Sequence, residues 1–266
     1  MRSPVAITAP NSDVNYSKYA QSAVVAGQLY LFSGDGDNRK IAKLDSCALT
    51  ELEVKLNMDF TIGHAAVSTA NGSKAIICFA PSPPYNYCDA FDGSIVTPSH
   101  KTTYPHLYGC LGLYNGQPTT VGGSNVDYTG KVETLGQDGW TSLSDCPVNF
   151  YTQNLVGMDN GDLVLLGGRN IDEGNNFEKS VWRLRNSTWF MLGSLDGAVG
   201  YGSALTIDSS IFIFAGENGD STFPLQRVDI SEDGTIDTQI IGDQGGKYLW
   251  PVMFTDSSNC TTVEHV

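Results

Sequence analysis

The chain lacks an apolar run of the roughly 20 residues that a membrane-spanning helix needs. Its longest apolar stretches are soon broken by Gly, Asn, Asp or Ser. Basic residues are scarce: 15 Lys and Arg stand against 29 Asp and Glu, a formal charge of −14. They form no cluster. A phosphate backbone or an anionic bilayer would be repelled, so nucleic acid and membrane insertion are excluded. No long stretch repeats apolar residues at i, i+3, i+4 and i+7, which removes the amphipathic helix. No C-x-x-C pair is present, so zinc and thioredoxin-like readings have no support. G-x-S-x-G, the P-loop and H-E-x-x-H are missing too. The first residues, MRSPVAITAPNSD, have no apolar core followed by a cleavage site. They are not a signal peptide, so the expected setting is cytosolic, or extracellular if this chain is the mature part of a longer one.

What is abundant is glycine, with 29 residues, and short runs rich in Val, Ile, Thr and aromatics. Such runs between Gly, Asn, Asp and Ser clusters indicate strands. The runs repeat. SAVVAGQLYLFSG ends at Gly34, AAVSTANGSKAIICFA at Ala80, LGLYNGQPTTVGG at Gly123, the run containing LVLLGG at Gly168 and SALTIDSSIFIFAG at Gly216. A sixth copy, VMFTDSSNCTTVEH, ends near His265. Each is a strand, a tight turn and a second strand, and successive ends are 43 to 49 residues apart. Asn-Gly and Asp-Ser at the turns suit tight hairpins. An all-strand repeat of this length indicates a β-propeller, in which each sheet covers the faces of its neighbours.

Gly167-Gly168, a polar loop, Trp182 and then Trp189 resemble the kelch repeat. The copy at Gly122-Gly123 keeps Trp140 but has Glu133 at the aromatic position, and the copies at Gly34 and Gly216 lack the tryptophan. The chain therefore resembles a divergent member of the kelch and galactose-oxidase-like group. The expectation is a single domain over residues 1–266, an all-β six-bladed propeller with four-stranded antiparallel blades. The predicted outer strands are KIAKLD with ELEVKL, YCDAFDG with SIVTP, GKVETLG with WTSLS, SVWRLR with TWFMLG, and LQRVDI with TIDTQII. The strand-like PVAITA within residues 1–19 is expected to complete the last blade and close the ring.

The resemblance to galactose oxidase implies a copper site with an adjacent Tyr-His pair. None of the four histidines follows a tyrosine directly, so no copper, metal or other cofactor is expected. SGDGDNRK lacks the register of a calcium loop. Six cysteines, Cys47, Cys78, Cys88, Cys110, Cys146 and Cys260, are compatible with buried thiols or with disulfides, and Cys78 and Cys88 can meet across a hairpin. Four N-glycosylation sequons begin at Asn15, Asn71, Asn186 and Asn259 and tilt the setting outward.

The long loops at 81–87, 98–108 and 170–177 carry the candidate binding residues: Tyr85, Tyr87, His100, Tyr104, His106, Arg169 and Asn170. The resulting expectation is a non-catalytic propeller that binds another protein through loops on one face. The alternatives are a kelch-like sugar isomerase or lyase with a site at the channel mouth, and an extracellular adhesion or matrix module.

Overall fold

The computed structural model describes residues 19–253 except 35, 46, 47, 81, 82, 84, 215, 220, 221 and 247. Twenty-three strands form six antiparallel sheets among these residues, five of them four-stranded. The first sheet is β1 (Gln21–Val25), β2 (Gln28–Phe32), β3 (Ile41–Asp45) and β4 (Ala48–Glu51). The second is β5 (Ala65–Ser68), β6 (Ala75–Cys78), β7 (Cys88–Phe91) and β8 (Val96–Pro98). The third is β9 (Cys110–Tyr114), β10 (Gln117–Val121), β11 (Val132–Gly136) and β12 (Gly139–Ser142). Next come β13 (Phe150–Tyr151), β14 (Asn154–Gly157), β15 (Leu163–Leu166), β16 (Arg169–Asn170), β17 (Asn176–Phe177), β18 (Ser180–Arg185) and β19 (Thr188–Ser194). Of these, β14, β15, β18 and β19 make the fourth sheet, and β13, β16 and β17 a small three-stranded one beside it. The fifth is β20 (Ser203–Ile207), β21 (Ser210–Phe214), β22 (Pro224–Ile230) and β23 (Ile236–Asp243).

The hairpins form where the turn residues permit positive φ. Ala26-Gly27, Asn115-Gly116 and Asn186-Ser187 each have two successive left-handed residues. That geometry matches the twist of the flanking strands. The second strands end at Phe32, Cys78, Val121, Leu166 and Phe214, two residues before the expected 34, 80, 123, 168 and 216. The last two residues leave the ladder: Ser33, Phe79, Gly122 and Gly167 all have positive φ. A Cβ on Gly122 would lie 2.3 Å from Phe150 O, and one on Gly167 2.4 Å from Val199 O. The glycines are thus needed where one sheet passes the backbone leading to the next.

Two expectations need correction. ELEVKL is not a strand beyond Glu51, because β4 is Ala48–Glu51. The following chain folds back, with Leu52 N donating to Ile41 O and Leu56 N to Arg39 O, and it buries Leu56. Segment 170–177, expected as a loop, contributes strands to the small sheet. PVAITA and most of the sixth hairpin lie outside the described residues.

Apolar clusters sit between successive sheets. Tyr30, Phe32, Ile77 and Phe91 pack the first on the second, and Cys78, Cys88, Leu111 and Trp140 the second on the third. Tyr114, Val132, Leu165 and Leu184 join the third and fourth, with Trp182 and Trp189 packed against them, and Val164, Val181, Ile211 and Val228 join the fourth and fifth. Two tryptophans reach across to the preceding unit: Trp140 Nε1 donates to His100 O and Trp189 Nε1 to Ser144 O. A further cluster on the first sheet, Ala20, Leu29 and Leu31, receives Val252.

The innermost strands β1, β5, β9, β14 and β20 contact one another in succession. Their first residues, together with residues 250–253, line one cavity of about 180 Å³. The sheets therefore fan around a common channel, in a β-propeller-like all-β arrangement. First and third strands run away from one end, here termed the mouth. Loops joining second to third strands, and links between sheets, emerge at the mouth. The tight hairpins between first and second, and between third and fourth, lie at the opposite end.

Candidate functional site at the channel mouth

Tyr19, Gly63, Tyr108, Thr152, Tyr201 and Trp250 lead into the channel-lining segments, at intervals of 44 to 49 residues. All six have positive φ, between 48° and 91°. Four backbone hydrogen bonds connect the last five in order: Tyr108 N to Gly63 O at 2.9 Å, Thr152 N to Tyr108 O at 2.8 Å, Tyr201 N to Thr152 O at 3.0 Å and Trp250 N to Tyr201 O at 2.7 Å. Five of the six are not glycine, although glycine adopts this conformation without strain. At Gly63 the fold meets the same requirement with glycine, so it does not itself call for aromatic side chains. Four aromatic residues nonetheless occupy strained positions at one opening.

Their rings form a half-buried rim. Trp250 stacks on Tyr108 at 6.3 Å and meets Tyr201 edge-on at 5.0 Å. Burial pushes the Tyr108 hydroxyl up, and the nearby Tyr201, Tyr19 and Tyr151 add to the shift. Burial also raises Tyr151, while Arg169 beside it opposes the rise. The Tyr108 and Tyr151 phenols are therefore neutral donors at ordinary pH.

The small sheet places a cation beside this rim. Arg169 stands opposite Tyr151 on β13 and opposite Phe177 on β17. Its guanidinium lies 5.6 Å from the Tyr151 ring and 4.9 Å from the Phe177 ring. Nε donates to Asn175 O at 2.9 Å, and Nη1 reaches Tyr201 Oη at 3.5 Å. No carboxylate among the described residues pairs with it. A guanidinium has five N–H donors, so about three remain for a ligand, on the edge formed by Nη1 and Nη2. Beside the cage, the buried Thr152 Oγ1 has no hydrogen-bond partner among the described residues.

Deeper in the channel, His64 Nδ1 lies 2.6 Å from Thr61 O. Burial depresses the His64 imidazole to about 4, so it is neutral. Its Nε2, Gln153 Oε1 and Asn154 Nδ2 are buried without a hydrogen bond of good geometry among the described residues, although the Phe32 carbonyl is near enough to the imidazole to favour its protonated form. All three residues line the cavity. No group of three or more His, Cys, Asp and Glu that could hold a metal ion occurs among the described residues.

Of the residues predicted from sequence, Arg169 is at the mouth. Asn170 beside it is buried and works locally, accepting from Asp172 N and donating to Glu178 Oε1. Tyr85 and Tyr87 are half-buried, with Lys101 Nζ 5.7 Å from the Tyr87 ring. His100 is exposed, beside the outer strand of the third sheet that carries Trp140. Tyr104 packs on Tyr128 at 5.3 Å. His106 is fully buried: Nδ1 lies 2.6 Å from Gly122 O and Nε2 3.0 Å from Glu133 Oε2. It offers nothing to a partner at the surface. Glu133 also accepts from Thr103 N and Tyr104 N. Burial acts to raise the Glu133 carboxyl, but those bonds prevail and hold it low. Here a buried, hydrogen-bonded His–Glu pair stands where the kelch pattern has an aromatic residue.

Sequence reasoning missed Tyr108, Tyr151, Tyr201 and Trp250 as a set. A signal existed: an aromatic residue one to three positions before an innermost strand or its equivalent, in SKYAQS, HLYGC, NFYTQN, VGYGS and YLWPV. No family model and no curated protein matches the chain. A solved structure of YjhT is similar to it, with a TM-score of 0.69 and 16% sequence identity over 83% of each chain, and at that identity the likeness establishes a shared fold alone.

Proposed function

We propose that the chain is a closed, six-bladed propeller of kelch type that binds another protein through its mouth, without catalysing a reaction. Closure is supported by residues 250–253. Trp250 N bonds to Tyr201 O on the side of the fifth sheet, while Val252 packs on the first. The observation that carries the binding reading is the rim, where aromatic side chains are kept at strained backbone positions beside a half-buried arginine with no counter-ion among the described residues. Tyr, Trp and Arg in such settings dominate binding energy at protein interfaces. A partner would place an acidic side chain on the Nη edge of Arg169 and apolar surface over Trp250 and Tyr201.

Capture experiments with tagged protein test this. Wild type, Arg169→Ala, Tyr201→Ala and Ile207→Ser are compared in extract from the source cells. Ile207 is 43% exposed beside a tight hairpin at the opposite end, and serves as the control. The expected result is a partner retained by wild type and Ile207→Ser and weakened at least about 30-fold by the mouth variants, as for hot-spot losses of 2 kcal/mol or more. A partner held equally by both mouth variants contradicts the assignment. A small polar ligand is the second reading, favoured by the unpartnered atoms of Gln153 and Asn154 in the channel. It predicts that ligand-induced stabilisation is lost in Gln153→Leu while protein capture persists.

A further inference from the structure

We propose that Asn186 carries an N-linked oligosaccharide, on the end of the molecule opposite the mouth. Asn186-Ser187-Thr188 is a sequon, and the structure places it at the tip of the β18–β19 hairpin. All three residues are exposed. Asn186 and Ser187 form the two-residue turn, with φ of 49° and 58°. The turn alone accounts for asparagine at its first position. Thr188, exposed at the start of β19 where strands favour threonine, stands two residues on and makes the tripeptide an acceptor. The Asn186 carboxamide makes no hydrogen bond among the described residues, so its Nδ2 is free. Ser187 N donates to the buried Tyr114 Oη at 2.8 Å, which fixes the turn to the third sheet and leaves the side chain in solvent. At Asn71, by contrast, Oδ1 accepts from Thr69 Oγ1, Ser73 N and Ser73 Oγ.

A second, independent observation points to the compartment where this modification occurs. Cys78 and Cys88 face each other across β6 and β7 and form a disulfide, and both are fully buried. A disulfide inside the core indicates folding under oxidising conditions, as in the endoplasmic reticulum. There the reaction needs a lipid-diphosphate-linked oligosaccharide. A bond forms between Asn186 Nδ2 and the anomeric carbon of the first sugar. The bond from that carbon to the diphosphate oxygen breaks, the amide gives up one proton, and the lipid diphosphate leaves. Folding is then compatible with the glycan, because Asn186 is exposed while the neighbouring Ser187 backbone makes the contact with the third sheet. Third strands run away from the mouth, so the glycan also leaves the rim of Tyr108, Tyr201 and Trp250 uncovered.

The test uses the full chain isolated from its source cells. The protein is treated with peptide-N-glycosidase in heavy-oxygen water, and the peptides containing Asn71 and Asn186 are analysed by mass spectrometry with and without prior reduction. The expected result is conversion of Asn186 to a labelled aspartate, together with an intact Cys78–Cys88 cross-linked peptide. The full chain secreted from cultured animal cells supplies the second arm. Asn186→Gln and Thr188→Ala are each expected to remove one glycan increment of mass, while thermal unfolding and capture through the mouth stay unchanged. An unmodified Asn186 in the source protein overturns the proposal. So does secreted protein that is folded, has the disulfide and shows no mass difference between wild type and Asn186→Gln.

Discussion

A single Cβ separates tolerated from untolerated change at several turns. Gly167 and Gly174 both have positive φ, 60° and 72°. A methyl at Gly174 meets nothing within 4 Å, whereas at Gly167 it would meet Val199 O at 2.4 Å and Glu178 O at 3.2 Å. Gly174→Ala is expected to cost about 1 kcal/mol from conformation alone, and Gly167→Ala at least about twice that. Urea unfolding of the two variants checks the difference. His64 gives a pH-dependent effect. Its folded pKa is depressed to about 4 by burial, against the ordinary 6.5. The unfolded chain therefore binds a proton across that window and the native chain does not. The His64 contribution to stability is complete above about pH 6.5 and is lost as pH falls toward 4, by about 3 kcal/mol. His64→Gln is expected to remove that part of the slope, read from urea unfolding at pH 7 and pH 4.5. Not every residue role was visible beforehand. Glu133 stood out as a departure from the repeat and His106 as a loop histidine, but nothing in their local sequence says that they meet.

Strands and turns were the most legible elements, because their signals are local. Apolar runs and Ala-Gly, Asn-Gly or Asp-Ser turns located both hairpin strands of each of the five four-stranded sheets. ELEVKL failed because its apolar residues serve a chain folding back over the core rather than a ladder. The small sheet was missed because β13, β16 and β17 have two residues each, too few to display a period. Yet this sheet sets Arg169 between Tyr151 and Phe177, so the most distinctive side-chain cluster of the mouth rests on the least legible element. The second sheet has its own brace. The Cys78–Cys88 disulfide closes a loop with a sequence separation of 10 residues. Loop-closure entropy of that length is worth about 3 kcal/mol. The Cys78→Ala/Cys88→Ala double variant is expected to lose about that much, and reductant should then no longer change its midpoint. A double variant as stable as wild type, or one still sensitive to reductant, contradicts the assigned pairing.

At the scale of the whole molecule, the repeat brings together residues that sequence separates by 44 to 49 positions. That is why the rim could not be read as a site from any one stretch. A lone Tyr before a strand is unremarkable. Tyr108, Tyr201 and Trp250 gain meaning only when the segments they lead into line one channel. On the proposed protein-binding reading, the overall charge of −14 favours partners with a basic surface around the contact. The Arg169 cage adds an opposite local preference at its centre, so the interface should be mixed in sign. Both statements depend on the radial arrangement, and the backbone bonds around the mouth are its most direct signature. Amide hydrogen exchange at Tyr108, Thr152, Tyr201 and Trp250 measures them. The account predicts strong and similar protection at all four, including Trp250, whose N–H bonds to Tyr201 O at 2.7 Å. Exchange of the Trp250 amide at the rate of an unstructured chain would contradict it.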